Sequence, residues 1–225
     1  MDYLNTLLFG IYPYLALTIL VVGTWARYDH GQFTWRAQSS QMLRKRRFVF
    51  ASVMFHIGVL VILFGHLVGL LTPHWAYQWL ITAGQKQVLA IVVGGIAGVM
   101  TLIGGSMLAW RRFTDPRVRA SSSVADDLII TVLVVQVALG LATIPPTLHH
   151  LDGGNMLELA AWAQGIFTFQ GDAAAHLVNV GWIYKIHIVL GLTIFVLFPF
   201  TRLVHMLSAP LEYIGRNYQI VRRRA

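Results

Sequence analysis

Residues 55–75 read FHIGVLVILFGHLVGLLTPHW, a stretch without Asp, Glu, Lys or Arg. A hydrocarbon core about 30 Å thick is crossed by about 20 apolar residues in one helix. This stretch lies in one of five long, predominantly apolar segments, at about 4–26, 48–71, 87–110, 125–144 and 182–207. The sequence therefore predicts an all-α fold, an integral membrane bundle of five transmembrane helices. Residues 1–225 form a single membrane domain in this prediction, with a cytoplasmic tail at 208–225.

Composition excludes several classes of protein. Hydrophobic residues make up 56% of the 225 residues and charged residues only 12%, whereas soluble domains carry about 25% charged residues. The chain has no cysteine, which excludes disulfides, iron–sulfur clusters held by cysteine and covalent c-type haem. Any redox centre is therefore held by histidine or methionine, and any iron–sulfur relay belongs to another polypeptide.

The basic residues predict an orientation. Of the 17 Lys and Arg residues, 15 fall within 27–47, 111–119 and 202–224, and the other two are Lys86 and Lys185. Basic residues are retained on the cytoplasmic side of membrane proteins. The N-terminus is therefore predicted outside and the C-terminus in the cytoplasm. The formal charge of +8 is then a topology signal, and nucleic-acid binding is not expected.

Four histidines lie inside predicted spans. His56 and His66 are in the second span, and His187 and His205 are in the fifth. An ionisable side chain in hydrocarbon usually has a function, although hydrogen bonds to neighbouring helices are the simpler alternative. Because the two spans run in opposite directions, His56 is expected beside His205 at the inner side and His66 beside His187 at the outer side. Each pair supplies both axial ligands of one haem iron, an arrangement typical of electron transfer.

The spacing of these histidines is not symmetrical. Ten residues separate His56 from His66, and eighteen separate His187 from His205, so on straight helices the two separations differ by about 12 Å. On a straight fifth helix His187 and His205 also share one face. Tilt or a kink at Pro199 would reduce the mismatch. If the outer pair fails, the rival ligands are the histidines of the outer connections: His74, His149, His150 and His176.

Four long strings resemble a known family. They are RYDHGQFTWRAQSSQML at 27–43, FHIGVLVILFGHLVGLLTPHW at 55–75, PRVRA at 116–120 and FPFTRLVH at 198–205. With them the chain resembles, over essentially its full length, the gamma subunit of respiratory nitrate reductase, a membrane cytochrome b. The resemblance implies two non-covalent haem b groups, and it places His56, His66, His187 and His205 on the iron-ligand positions.

The resemblance also implies substrate and partners. Quinol, either menaquinol or ubiquinol, is expected to be oxidised near the outer haem. Electrons then pass to an iron–sulfur beta subunit and a molybdenum alpha subunit on the cytoplasmic face of a bacterial inner membrane, where nitrate is reduced during anaerobic respiration. The stretches 27–47 and 111–121 and the tail from Pro210 are predicted to contact these partners. For the last three arginines of the tail, binding to lipid headgroups is an equal alternative.

Three residues are candidates for the quinol site. Lys86 is the basic residue of the connection between the second and third spans, just before the third span, and near the depth of His66. An ammonium there would bind a quinol oxygen, and Gly65 would leave space for the quinone head beside His66. The alternative is a lysine that extends to the interface and anchors the third helix.

Two other functions fit part of the sequence. One is the cytochrome b anchor of a hydrogenase or formate dehydrogenase, whose catalytic subunits dock on the outer face. The other is a haem-free structural anchor or a small transporter. The membrane face on which the catalytic subunits dock distinguishes the first alternative from nitrate reductase. A visible spectrum of the purified chain distinguishes the second, because a haem-free protein has no haem bands.

Overall fold

The computed structural model describes residues 2–35 and 45–208. The predicted tail beyond Ser208 and the basic residues between 36 and 44 lie outside the described residues. The described residues form helices and connections without a strand. Five helices are long and apolar enough to cross a membrane, which confirms the predicted fold class. The direction in which the chain crosses the membrane stays a prediction.

The five spanning helices are labelled α1 to α5. They are α1, Tyr3–His30; α2, Lys45–Leu71; α3, Ala83–Thr114; α4, Val124–Ala142, continued by a short helix Ile144–Leu148; and α5, Trp182–Leu197. Most of them extend beyond the predicted spans, because a helix continues past the hydrocarbon wherever its ends are capped. Thr82 and Gln85 form such a capping box at the start of α3.

Close backbone contact joins α2 to α3. A Cβ atom added at Gly58 would lie 2.2 Å from the Thr101 hydroxyl, and one at Gly104 would lie 2.7 Å from the Ala51 carbonyl oxygen. Helices in hydrocarbon gain little from the hydrophobic effect and pack instead through such small residues. The contact fixes α2, which carries two of the four histidines, against the centre of the bundle.

The connection between α4 and α5 closes one end of the bundle. Its longest element is the loop helix, Gly154–Phe167, which buries Trp162 and Ile166. The Trp162 indole donates to the Phe9 carbonyl oxygen at 2.9 Å. The α-helical donor to this carbonyl would be residue 13, which is a proline and has no N–H. Gln164 donates to the Leu70 carbonyl oxygen at 2.9 Å, so the loop helix also caps the end of α2. We call this the His66 end and the opposite one the His56 end.

The fifth predicted helix is shorter than expected. The prediction of a helix at 182–207 is wrong beyond Leu197, where two 3₁₀ turns, Phe198–Phe200 and Arg202–Ser208, follow with Thr201 extended between them. Pro199 explains the break, because its ring removes a donor and clashes with the preceding turn. His187 and His205 therefore do not share the face of one straight helix, and the mismatch of about 12 Å calculated for straight helices does not apply.

Candidate functional site

The fold brings the four membrane histidines together in two pairs. The ring centres of His66 and His187 lie 6.1 Å apart, and those of His56 and His205 lie 6.3 Å apart. These are the same two pairs that the antiparallel arrangement of the spans predicts. His187 reaches its partner from the regular part of α5, whereas His205 reaches its partner from the 3₁₀ turn beyond the break.

The separation within each pair is suited to one iron atom. A metal–imidazole bond is about 2.0 Å long and a ring nitrogen lies about 1.1 Å from the ring centre, so two axial imidazoles have ring centres about 6.2 Å apart. Both observed separations lie within about 0.1 Å of that value. Among the described residues no group of three or more His, Cys, Asp or Glu could hold a metal ion. The residues present therefore fit a haem with two histidine ligands better than a metal ion held by protein alone.

Three of the four rings are oriented by backbone carbonyl groups. The Nδ1 atom of His56 contacts the Ser52 carbonyl oxygen at 2.7 Å, and that of His66 contacts the Ile62 carbonyl oxygen at 2.8 Å. The Nδ1 atom of His205 contacts the Arg202 carbonyl oxygen. A ring whose Nδ1–H donates to a carbonyl keeps its Nε2 unprotonated, which is the form that binds iron.

His187 is held differently. The Gln136 amide of α4 donates to the His187 carbonyl oxygen at 3.0 Å and lies 3.4 Å from the ring Nε2. The Gln136 side chain therefore forms a hydrogen bond between α4 and α5. The Nδ1 atom of His187 is buried and has no hydrogen-bond partner in the described part of the chain. An unsatisfied ring nitrogen is costly in an apolar interior, so this ring needs a further ligand or partner.

The glycines near the histidines divide into two groups. Gly65 and Gly69 of α2 and Gly94 of α3 have open space where a side chain would begin, whereas Gly98 of α3 packs on Leu141. The four-residue spacing of Gly65 and Gly69 is typical of helix packing, but no neighbouring atom packs against either glycine in the described structure. A flat ring needs such open space beside its ligands. Gly191 does not provide it, because a Cβ there would lie 3.1 Å from the Gln136 amide nitrogen.

Lys86 lies in the first turn of α3, rather than before it as predicted, and is only 8% exposed. Its ammonium donates to the Gly69 carbonyl oxygen at 3.0 Å, one turn beyond His66 on α2. It also lies 3.8 Å from the ring centre of Tyr77. Burial raises the pKa of Tyr77, so the phenol stays neutral beneath the cation. Lys86 thus joins the end of α2 to the start of α3 instead of extending towards solvent.

Other polar groups of the His66 end have partners of their own. His176 contacts the Glu158 carboxylate at 2.8 Å, and the His74 ring packs against the Tyr77 ring at 5.3 Å. These contacts favour surface roles for His176 and His74, two of the four rival histidines. Lys185 donates to the Val178 carbonyl oxygen at 2.9 Å. The two lysines of this end therefore each bond to a backbone carbonyl group.

Comparison with known proteins identifies relatives over the whole length. The model of a family described as the nitrate reductase gamma subunit matches residues 5–224. The respiratory nitrate reductase 2 gamma chain of Escherichia coli K12 is 54% identical over 223 residues, 99% of each chain. The respiratory nitrate reductase 1 gamma chain of the same organism is 51% identical over 224 residues, 100% of each chain. The nitrate reductase gamma chain of Bacillus subtilis 168 is 37% identical over 223 residues, 97% of this chain and 98% of that one.

Proposed function

The chain belongs to the nitrate reductase gamma subunit family, and on that premise we propose that it is the cytochrome b subunit through which quinol electrons reach the other nitrate reductase subunits. The observation that carries the proposal is the geometry of the two histidine pairs, with ring centres 6.1 and 6.3 Å apart. The match to this family favours nitrate reductase over the hydrogenase and formate dehydrogenase anchors. Membership in a reductase complex also implies association with its other subunits.

The histidines have a holding and orienting role in this proposal. His56 and His205 hold one haem b, and His66 and His187 hold the other. When bound, the haems supply two one-electron redox centres along the membrane normal. The carbonyl groups of Ser52, Ile62 and Arg202 orient three of the rings. Gln136 fixes the main chain at His187 from α4.

The His66 end is proposed to face the outside of the inner membrane. The described basic residues support this orientation, since Arg27, Arg112, Arg117, Arg119 and Arg202 all belong to the His56 end, whereas Lys86 and Lys185 belong to the His66 end. Cationic loops are retained in the cytoplasm. The partners, an iron–sulfur beta subunit and a molybdenum alpha subunit, are then proposed to dock at the His56 end.

Quinol, as menaquinol or ubiquinol, is proposed to bind beside His66. The Lys86 ammonium has three N–H groups, of which one is used by the Gly69 carbonyl oxygen and one side faces Tyr77. A remaining N–H is available to a quinol oxygen, where it stabilises the negative charge left by deprotonation. Open space at Gly65 supports an approach to His66 from this side. Proton release outside and proton consumption by nitrate reduction inside together build a membrane potential.

The proposal is tested by the visible spectrum of the purified chain. We expect two haem b groups per chain, extractable because no cysteine can attach them. His56→Ala and His205→Ala should remove one spectral component, and His66→Ala and His187→Ala the other. A redox titration of each variant separates the components. A purified chain without haem bands would refute the proposal, and loss of the same component in His56→Ala and His66→Ala would refute the pairing.

A further inference from the structure

His205 lies on a segment that has left the α5 helix, and a side chain from α1 holds the start of that segment. One terminal nitrogen of Arg27 donates to the carbonyl oxygens of Pro199 and Thr201, both at 2.7 Å. A terminal guanidinium nitrogen carries two N–H groups, so each carbonyl receives its own donor. Arg27 thereby caps the chain where Pro199 ends the regular helical hydrogen bonds.

A buried ion pair with α4 holds the same segment from the other side. The Arg202 Nε donates to the Asp126 carboxylate at 2.6 Å, and the Asp126 side chain is only 4% exposed. Arg112 at the end of α3 lies 3.6 Å from the other oxygen of this carboxylate. A charge-assisted bond of this length is strong, and a buried charge that loses its partner is unfavourable.

Packing also restricts the position of the segment. Leu203 and Val204 are buried, so the 3₁₀ turn is part of the bundle. A Cβ atom at Gly23 of α1 would lie 2.9 Å from the Pro199 ring, so α1 passes directly over the break. The Trp35 indole donates to the Ser208 hydroxyl at the far end of the turn. The segment is therefore fixed at both ends and in its middle.

We propose that Arg27 and the Asp126–Arg202 ion pair are positioning residues for His205, which set the inner haem ligand opposite His56. The inference rests on the proposed function insofar as it assigns His205 to a haem. The link to the ligand is direct, because His205 Nδ1 contacts the carbonyl oxygen of Arg202 itself. A change at Asp126 thus moves the residue that orients the ring. His187 needs no comparable positioning residues, because α5 is still a regular helix at that position.

The first test measures the two haem components in membranes containing the full complex. Asp126→Asn removes the charge but keeps an oxygen that can accept from the Ser123 N–H, as Asp126 does at 3.1 Å. Arg27→Gln removes the double cap, and Arg27→Lys keeps a cationic donor. Asp127→Asn and Arg119→Gln are the matched controls, since they change the same charge at the same end. Arg119 is exposed, and Asp127 lies 4.0 Å from Arg112.

The expected result is a loss confined to one haem. Asp126→Asn and Arg27→Gln should weaken retention of the His205-dependent component by roughly tenfold or more, the usual effect of losing an outer-shell partner. Any haem that remains at this position should titrate at a changed potential. The His66 component, the amount of inserted chain and both controls should match the wild type, and Arg27→Lys should recover most of the loss.

The second test follows the segment without haem. The chain has no cysteine, so His56→Cys with His205→Cys gives the only two thiols in the protein. A short bis-maleimide should join them in the haem-free chain, and mass spectrometry measures the yield. Adding Asp126→Asn should lower the yield several-fold, whereas adding Asp127→Asn should not change it.

These measurements separate the two proposals. Normal haem components and normal cross-linking in Asp126→Asn and Arg27→Gln would overturn the positioning role and leave the cytochrome b function standing. Loss of both haems together with a smaller amount of inserted chain would also overturn the positioning role, because these residues would then be needed for folding of the whole chain. A wild-type chain without haem would refute the proposed function, and the cross-linking yield would still decide whether Asp126 places residue 205.

Discussion

At the scale of single residues, the four histidines differ in what their Nδ1 atoms contact. Those of His56, His66 and His205 contact backbone carbonyl oxygens, whereas that of His187 is buried without a partner in the described structure. A side-chain amide, Gln136, lies at the His187 ring instead. The electrostatics at His187 therefore depend on one replaceable side chain.

Gln136→Leu should lower the midpoint potential of the His66 component. The substitution removes the amide N–H groups, the positive end of a dipole, from beside the ring, and this favours the oxidised iron. A hydrogen bond of ordinary strength corresponds to a shift of about 20–60 mV. Redox titration of both components measures it. An unchanged His66 component, or an equal shift of both, would show that Gln136 does not act through His187.

The second prediction at this scale concerns Lys86. Lys86→Ala should slow reduction of the haems by a quinol analogue on the order of a hundredfold, the usual effect of removing a donor that stabilises a developing anion. Reduction by a soluble dye should stay normal. Lys185→Ala is the control, because Lys185 is the other cation of this end and also bonds to a backbone carbonyl. Wild-type rates with quinol in Lys86→Ala would remove this lysine from the site.

At the scale of the helices, two features decide where the histidines lie. The α2–α3 contact fixes both histidines of α2, and the break after Leu197 lets the chain beyond α5 place His205 beside His56. The α2–α3 contact is the less tolerant of substitution, because Gly104 of α3 meets backbone atoms of Ala51 and Phe55, which have no side-chain freedom to move away. Both proposed haem sites should therefore depend on Gly104.

Gly104→Ala should destabilise both haem components together. Its Cβ would lie 2.7 Å from backbone atoms of α2, and such overpacking costs about 1–3 kcal/mol. The measurement is the temperature at which each component is released. Gly95→Ala in the same helix is the control, because its Cβ would lie 3.5 Å from Ile144, an ordinary contact. If Gly104→Ala and Gly95→Ala released haem at the same temperature, the close contact between α2 and α3 would not contribute to haem retention.

At the scale of the whole molecule, the charges are unequally divided between the two ends. The described part of the His56 end contains a network of Arg112, Asp126 and Arg202, whereas the two lysines of the His66 end each bond to a carbonyl group. Asp126 and Asp127, the latter 4.0 Å from Arg112, together offset the charges of Arg112 and Arg202. The exposed basic residues of the His56 end are then available to lipid headgroups and, in the proposed function, to partner subunits.

Single cysteines should reveal the orientation, because the native chain has none. Gly171→Cys lies at the His66 end with open space around it, and Arg119→Cys lies exposed at the other end. A maleimide that does not cross membranes should label Gly171→Cys in cells with a permeabilised outer membrane. It should label Arg119→Cys only after lysis. The reverse pattern would invert the proposed topology and move the partners to the other face.

The sequence by itself determined the five membrane helices and the four histidines. Both follow from the free energy of transferring a local stretch into the membrane. An apolar stretch such as 55–75 is stable in hydrocarbon whatever the position of its neighbours, and an imidazole within it is costly enough to mark a functional residue. The pairing of His56 with His205 and of His66 with His187 also followed, because it needs only the alternating direction of consecutive spans. The sequence placed Arg27 among the basic residues but did not indicate that Arg27 and Asp126 hold the chain beyond α5, although an acid at the start of a span in a basic region was a visible signal.

Only the tertiary structure decided how far α5 continues and what holds its end. Pro199 indicated a possible kink, but whether the chain bends or leaves the helix depends on which groups satisfy the carbonyls beyond the break. Here Arg27, more than 170 residues away in the chain, donates to the carbonyl oxygens of Pro199 and Thr201. The contact of Lys86 with the Gly69 carbonyl has the same origin. Such contacts depend on how whole helices pack against one another, and the hydropathy of each span gives no information about that packing.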